Sequence, residues 1–162
     1  MVKVPLTPRQ ASVENLKGFG EFIAPAAPNF SSKEFDWHQR LAVFKTGAAE
    51  IGLVCIRNTG CYEQRTLERH KRTKEAVLPV EGDVVMVLAR GEASLKKDFA
   101  ALYVPVGCGV LIGEGVWHLA PMCFSESAAA FIIYAEGTGE NDKEVISLPE
   151  RGLEVFLERM WQ

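Results

Sequence analysis

Two short blocks of the sequence concentrate the residues able to do chemistry. The first runs Glu68, Arg69, His70, then four residues, Glu75, then six residues, Gly82; the second runs Gly107, five residues, Gly113, one residue, Gly115, two residues, His118, three residues, Met122. Side chains on a strand alternate between faces, so Glu68 and His70 share one. The polar stretch Lys71-Arg72-Thr73-Lys74 suits a turn, after which Glu75 re-enters on a neighbouring strand and faces the same cavity. Gly113 and Gly115 suit a tight strand-to-strand turn that aims His118 inward. Two imidazoles and two carboxylates gathered this way have two uses. His70 and His118 can act directly as an acid–base pair, because imidazole with its unperturbed pKa of about 6.5 accepts and donates protons near neutrality. Alternatively His70, His118, Glu68 and Glu75 form a borderline ligand set that suits nickel, manganese, zinc or iron.

Each residue also has a plainer reading. His118 beside Trp117 fits a core histidine bonded to a backbone carbonyl, Glu68 with His70 fits an ion network on an outer face, and Glu75 fits an exposed strand start. The presence of both blocks tips the balance toward a site. Arg57, Arg69 and Arg72 offer bidentate donors for a substrate carboxylate. Alternation weakens Arg69, whose neighbours on both sides point inward, whereas Arg57 precedes the turn at 58–60 and suits a barrel mouth. Tyr103 and Trp117 are read first as barrel packing and second as aromatic walls of a small-ligand pocket. His38 lies in the irregular SSKEFDWHQR segment and takes no role beyond a dimer or loop contact.

Positioning those blocks requires strands. The runs LAVFK, EIGLVCIR, TLERH, EAVLPV, DVVMVLA, FAALYVPV, GVLIG, VWHLA, AAAFIIYAE and KEVIS follow one another, punctuated by Gly, Asn, Asp and charged residues. Many short strands at roughly 8–12-residue spacing argue for an all-β sandwich or barrel rather than alternating β and α units. Thr7 as N-cap with Pro8 at the first helical position predicts a short opening helix reaching Lys17 before Gly18. The stretch between Gly20 and Trp37, broken by Pro25 and Pro28, reads as an extended arm. From Leu148 to Gln162, Leu153, Phe156, Leu157 and Met160 follow the spacing of one helical face, predicting a closing helix.

Composition bounds the rest. A chain of 162 residues with 48% hydrophobic content buries an adequate core as one domain spanning 1–162. Eighteen basic against 21 acidic residues, spread along the chain, provide no footprint for a polyanion, so nucleic acid is not an expected partner. No apolar run approaches the ~18 residues of a membrane span, and MVKVPLTPRQ lacks a secretory core, so no membrane association and a cytoplasmic location are expected. Cys55, Cys61, Cys108 and Cys123 form no C-x-x-C pair and are expected to be buried free thiols.

The order and spacing of the two blocks resemble the two cupin motifs, with Glu68 where the first motif usually has His, Gly113 where the second has Pro, and Met122 where it has Asn. Within the cupins, LERH followed by EAVLPVEG, VWH with Pro121 downstream, PLT and FGEFI near the N-terminus, and SLPE at Ser147 to Glu150 are similar to the ureidoglycolate lyase family, formerly called ureidoglycolate hydrolase. The resemblance covers nearly the whole chain. It implies a mainly β protein, a single double-stranded β-helix (cupin) barrel, here with a short N-terminal and a C-terminal helix. It implies a carbon–nitrogen lyase that cleaves ureidoglycolate to glyoxylate and urea in allantoin and purine nitrogen catabolism. The catalytic groups would be His70, His118 and Glu68, with a divalent metal, nickel by family precedent, on His70, His118, Glu75 and Glu68. Two other readings stand beside it: a metal-dependent cupin isomerase or oxygenase acting on a small carboxylic acid, and a non-catalytic barrel that binds one. In each the partner is a small molecule, and a homodimer is expected, since barrels of this size often pair through edge strands or arms.

Overall fold

The computed structural model describes residues 1–43, 45, 47–60, 63–93 and 96–158. In chain order the strands are β1 (Val2–Leu6), β2 (Arg9–Gln10), β3 (Gly20–Ile23), β4 (Phe30–Ser31), β5 (Asp36–Trp37), β6 (Ala49–Arg57), β7 (Glu63–Gln64), β8 (Thr66–Arg69), β9 (Glu75–Glu81) and β10 (Val84–Ala89). They continue with β11 (Phe99–Val104), β12 (Gly109–Ile112), β13 (Trp117–His118), β14 (Ser127–Ala135), β15 (Glu144–Ser147) and β16 (Leu153–Leu157). Nine of the ten β-rich runs therefore become strands; the described part of the tenth, LAVFK, does not.

Two sheets face each other. One has the order β15-β8-β13-β10-β11-β2 and the other β3-β12-β9-β14-β6, which is the two-layered barrel of a double-stranded β-helix. Period-two burial explains the layering. Val84, Met86 and Leu88 on β10 meet Val77, Val110, Ile112, Ala128 and Ala130 in the space between the sheets. Val85, Val87 and Ala89 point the other way and pack with Trp117, Leu119 and Leu67 against a third layer. That layer is the small sheet β1-β16-β7, whose Val4, Leu6, Val155 and Leu157 close the second core. With both faces covered, every residue of β10 is buried, and each such aliphatic side chain contributes about 1.5–3 kcal/mol through burial.

The sheets leave no room where β3 meets β12. A Cβ at Gly20 would stand 2.0 Å from the Leu111 carbonyl oxygen, so the bare glycine is what allows Gly20 to sit beside Ile112 in register.

Both expected terminal helices are corrected. Arg9 and Gln10 pair in parallel with Leu102 and Tyr103 of β11, and residues 13–19 form turns closed by bonds such as the Leu16 amide to the Ser12 carbonyl. The Thr7-Pro8 start signal is thus overridden by pairing to the barrel. At the C-terminus Pro149–Arg151 makes a single 3-10 turn, Gly152 ends it at φ +72°, and β16 runs parallel to β1 with Val2 opposite Leu153. Leu153, Val155 and Leu157 are the buried residues, a period of two that the helical reading passed over. The regular α-helix among the described residues is one turn, Thr138–Asn141 (α1). Cys55 is exposed, Cys108 half-buried and Cys123 buried, all three free, so the expectation of buried thiols fails at Cys55. Cys61 and Met160 lie outside the described residues. No helix among them is long and apolar enough to cross a membrane.

Candidate metal and substrate site

The two blocks meet because their strands are neighbours. β13 lies between β8 and β10, with His118 opposite Glu68 on one side and opposite Leu88 on the other. β9 reaches the facing sheet, where Glu75 stands opposite Ile112. The glycine turn is tied directly to the first block: Gly115, at φ +72°, donates its backbone N–H to the His70 carbonyl at 2.7 Å.

His70, Glu75 and His118 are all buried, and Glu68 is partly so. Both imidazoles are oriented by a backbone oxygen. His70 Nδ1 donates to the Asp142 carbonyl at 2.7 Å, and His118 Nδ1 to the Val116 carbonyl at 3.1 Å. This fixes the proton on Nδ1 and leaves both Nε2 atoms facing the carboxylates. His70 Nε2 is 2.9 Å from Glu75 Oε2, whereas His118 Nε2 lies 3.6 Å from Glu75 Oε2 and 3.8 Å from Glu68 Oε1. At those separations His118 Nε2 makes no hydrogen bond; it is a buried acceptor atom with no partner among the described residues.

Charge inside the cluster is strongly coupled. Burial alone would disfavour the His70 imidazolium, but the Glu75 hydrogen bond, the Asp142 carbonyl and the charges of Glu75 and Glu68 outweigh it, and its pKa is raised. Burial would likewise raise Glu75, yet His118 and His70 hold it down at about 2. A buried carboxylate kept ionised beside two Nδ1-anchored imidazoles is a cation-binding arrangement. One ligand atom from each of Glu68, His70 and His118 falls within 4.8 Å of the others, and the unpartnered Nε2 of His118 points into that group, so these side chains fit a divalent metal.

The cluster floors a cleft of about 300 Å³ lined also by Gly52, Val54, Leu119, Pro121, Ile132, Tyr134 and Lys143. That volume is enough for a small molecule.

The other residues singled out from sequence sit elsewhere. Arg57 ends β6 opposite Ser127, beyond the lining residue Val54, and does not itself line the cleft. Arg69 faces away: its guanidinium stacks 4.1 Å from the Trp117 ring and pairs with Glu144 at 2.9 Å. Trp117 is buried in the outer core with its indole N–H donated to the Gly91 carbonyl. Arg72 is held by the Asn141 carbonyl and the Asp142 carboxylate, and the Tyr103 hydroxyl donates to Asp83.

Three residues escaped sequence reasoning. Tyr134, whose ring centroid is 5.9 Å from that of His70, was legible as the next step of the Ala130, Ile132 alternation. Burial and the Glu50 and Glu75 charges raise its pKa. Lys143 stands one residue before Glu144, which pairs with Arg69, so the KEVIS run carried a signal for it. Asp142 works through its backbone carbonyl, and no residue type announces that. Its carboxylate also accepts the amides of Lys71 and Arg72, tying α1 to the turn after His70.

A family model described as ureidoglycolate lyase matches residues 5–155. No curated protein matches the chain. Among solved structures, a 3,4-ketoisomerase from Helicobacter canadensis superposes with a TM-score of 0.51 at 14% identity, covering 76% of this chain and 88% of that one. A mutant of the 3,4-ketoisomerase QdtA from Thermoanaerobacterium thermosaccharolyticum, in complex with TDP-4-keto-6-deoxyglucose, gives 0.50 at 14% identity, covering 78% and 87%. A mutant of Bacillus subtilis oxalate decarboxylase gives 0.44 at 15%, covering 62% of this chain; the match spans about a quarter (24%) of that enzyme. At such identities the likeness to the two ketoisomerases shows the fold alone, which is the cupin barrel.

Proposed function

The chain belongs to the ureidoglycolate lyase family, and on that premise we propose that it cleaves ureidoglycolate to glyoxylate and urea. The observation that carries the reading is the buried, unpartnered Nε2 of His118 aimed at Glu75 and Glu68 across a cleft sized for a small molecule.

The reaction asks for little. One substrate carbon bears a carboxylate, a hydroxyl and the ureido nitrogen. Its C–O bond becomes a carbonyl, its C–N bond breaks, and one proton moves from oxygen to nitrogen, with no water consumed. A divalent ion on Glu68, His70 and His118, with Glu75 beside His70, would lower the hydroxyl pKa and stabilise developing alkoxide charge; nickel is the ion the family resemblance favours. Glu68 Oε2, the carboxylate oxygen turned away from His118, accepts the hydroxyl proton and returns it to the departing nitrogen. The Tyr134 phenol, held protonated by its raised pKa, donates a hydrogen bond to the ureido group. Ile132, Leu119 and Pro121 keep water from the reacting carbon.

The same reading makes the protein a cytoplasmic homodimer. Its free thiols suit a reducing compartment. On the outer face of the β6–β14 pair, Ile51, Leu53 and Phe131 are exposed, Leu53 lies opposite Phe131, and β6 is an open edge.

The test is to follow glyoxylate and urea together, before and after chelation, with His118→Ala as control for spontaneous decay. Stoichiometric release that is lost on chelation and restored by one ion is expected. No release above the control with any ion sinks the lyase reading, and oxygen uptake without urea would point to the oxygenase alternative.

A further inference from the structure

Glu68 and Glu75 floor the cleft, and a divalent ion held there would offset their charge, so an anionic ligand calls for a further positive group at the mouth. Among the described residues, Lys143 is the one lysine or arginine that lines the cleft. Its Nζ rests 2.7 Å from Glu68 Oε2, on the opposite oxygen from the one facing His118, and its side chain is 44% exposed. Of the three arginines expected to hold a carboxylate, Arg69 and Arg72 are engaged by other partners and Arg57 does not line the cleft.

The backbone beside Lys143 is fixed relative to the reacting groups. Its neighbour Asp142 receives the His70 Nδ1 proton on its carbonyl and the Lys71 and Arg72 amides on its carboxylate. A flexible four-carbon stem thus springs from an anchored base at the cleft mouth, carrying a compact charge that can leave an exposed ion pair worth little and take a ligand instead.

We propose that Lys143 is the residue that recognises the carboxylate of the ligand, and that the cleft is selective for small 2-hydroxy acids over their uncharged counterparts. The proposal rests on the lyase reading only in taking the ligand to be a small acid. Lys143 binds and orients; the proton transfer stays with Glu68.

Glycolate and glycolamide share size and hydroxyl and differ in charge, so their dissociation constants from the full-length protein, measured by titration calorimetry, isolate this role. The native protein is expected to bind glycolate at least tenfold more tightly than glycolamide. Lys143→Met should bring the ratio to about one by weakening glycolate alone, and Lys143→Arg should preserve it; Lys143→Gln serves the same purpose should the methionine variant not fold. Persistence of the preference in the methionine and glutamine variants, equal weakening of both ligands, or no preference in the native protein would each overturn the proposal. Failure of the lyase reading looks different: the glycolate preference and its Lys143 dependence persist, while ureidoglycolate releases no urea.

Discussion

His118 and Glu68 stand directly opposite one another on adjacent antiparallel strands, with 3.8 Å between the imidazole Nε2 and the carboxylate Oε1. That gap is too long for a hydrogen bond and shorter than two metal–ligand bonds of about 2.0–2.2 Å laid end to end. Strand register, rather than loop conformation, therefore sets the spacing of the proposed ligands.

Metal should stabilise the native fold in a way that depends on His118. At a hundredfold excess over its dissociation constant, a divalent ion is expected to add about 2.7 kcal/mol, raising the melting temperature by roughly 5–10 °C for a domain of this size. His118→Leu should abolish the shift. A native melting curve indifferent to nickel, manganese, zinc and iron would contradict the metal assignment.

The His70–Glu75 pair should give the metal-free protein a stability optimum. Glu75 has its folded pKa lowered to about 2 from 4.5, so its contribution is complete above pH 4.5 and fades as pH falls toward 2. His70 has its folded pKa raised above 6.5, so its contribution is complete below pH 6.5 and fades as pH rises through the raised value. Both are present together between pH 4.5 and 6.5. Denaturant melts across pH in chelator should show that maximum in the native protein and a flatter profile in Glu75→Gln; identical profiles would refute the coupling.

Asp142 should matter to metal affinity without being a ligand. Asp142→Ala keeps the carbonyl that orients His70 but frees it from the turn at Lys71 and Arg72. Affinity for the activating ion is expected to fall about 10–100-fold, as for other groups that orient a ligand histidine. Competition against a chromophoric chelator reads this directly, and unchanged affinity would show that the Asp142 carboxylate is not needed to hold the carbonyl in place.

Gly20→Ala tests the seam between β3 and β12. With its Cβ 2.0 Å from the Leu111 oxygen, the variant must push the two strands apart, at a cost of about 2–3 kcal/mol or more. A chemical denaturation midpoint equal to that of the native protein would mean that the strand edge yields freely.

Period-two alternation made most of the barrel legible in the sequence, and with it the convergence of Glu68, His70, Glu75 and His118. What misled was local punctuation. The Thr7-Pro8 pair satisfies every local requirement of a helix start, yet Arg9 and Gln10 gain more by extending the sheet beside Leu102 and Tyr103. In the last segment, Leu153 and Leu157 fit both a helix and a strand, and Val155 was the residue that decided between them. The arginines misled because residue type reveals chemistry but not which neighbour claims it first: Arg69 is taken by Trp117 and Glu144, partners far away in sequence. The role of the Asp142 carbonyl was invisible for the simplest reason, since every residue has one.

The parallel pairing of β1 with β16 carries a consequence for how the molecule is made. β1 finds its partner only when residues 153–157 have been made, long after it has itself emerged. Until then Val4 and Leu6, and the outer face of β10 with Trp117 beside it, lack the cover that Leu153, Val155 and Leu157 give them. Closing so long a loop is a slow step, which puts the assembly of this barrel in the millisecond-to-second regime of non-local β topologies. The nascent chain is thus exposed to aggregation until residues 153–157 are in place, and loss of β16 would be felt first at β1.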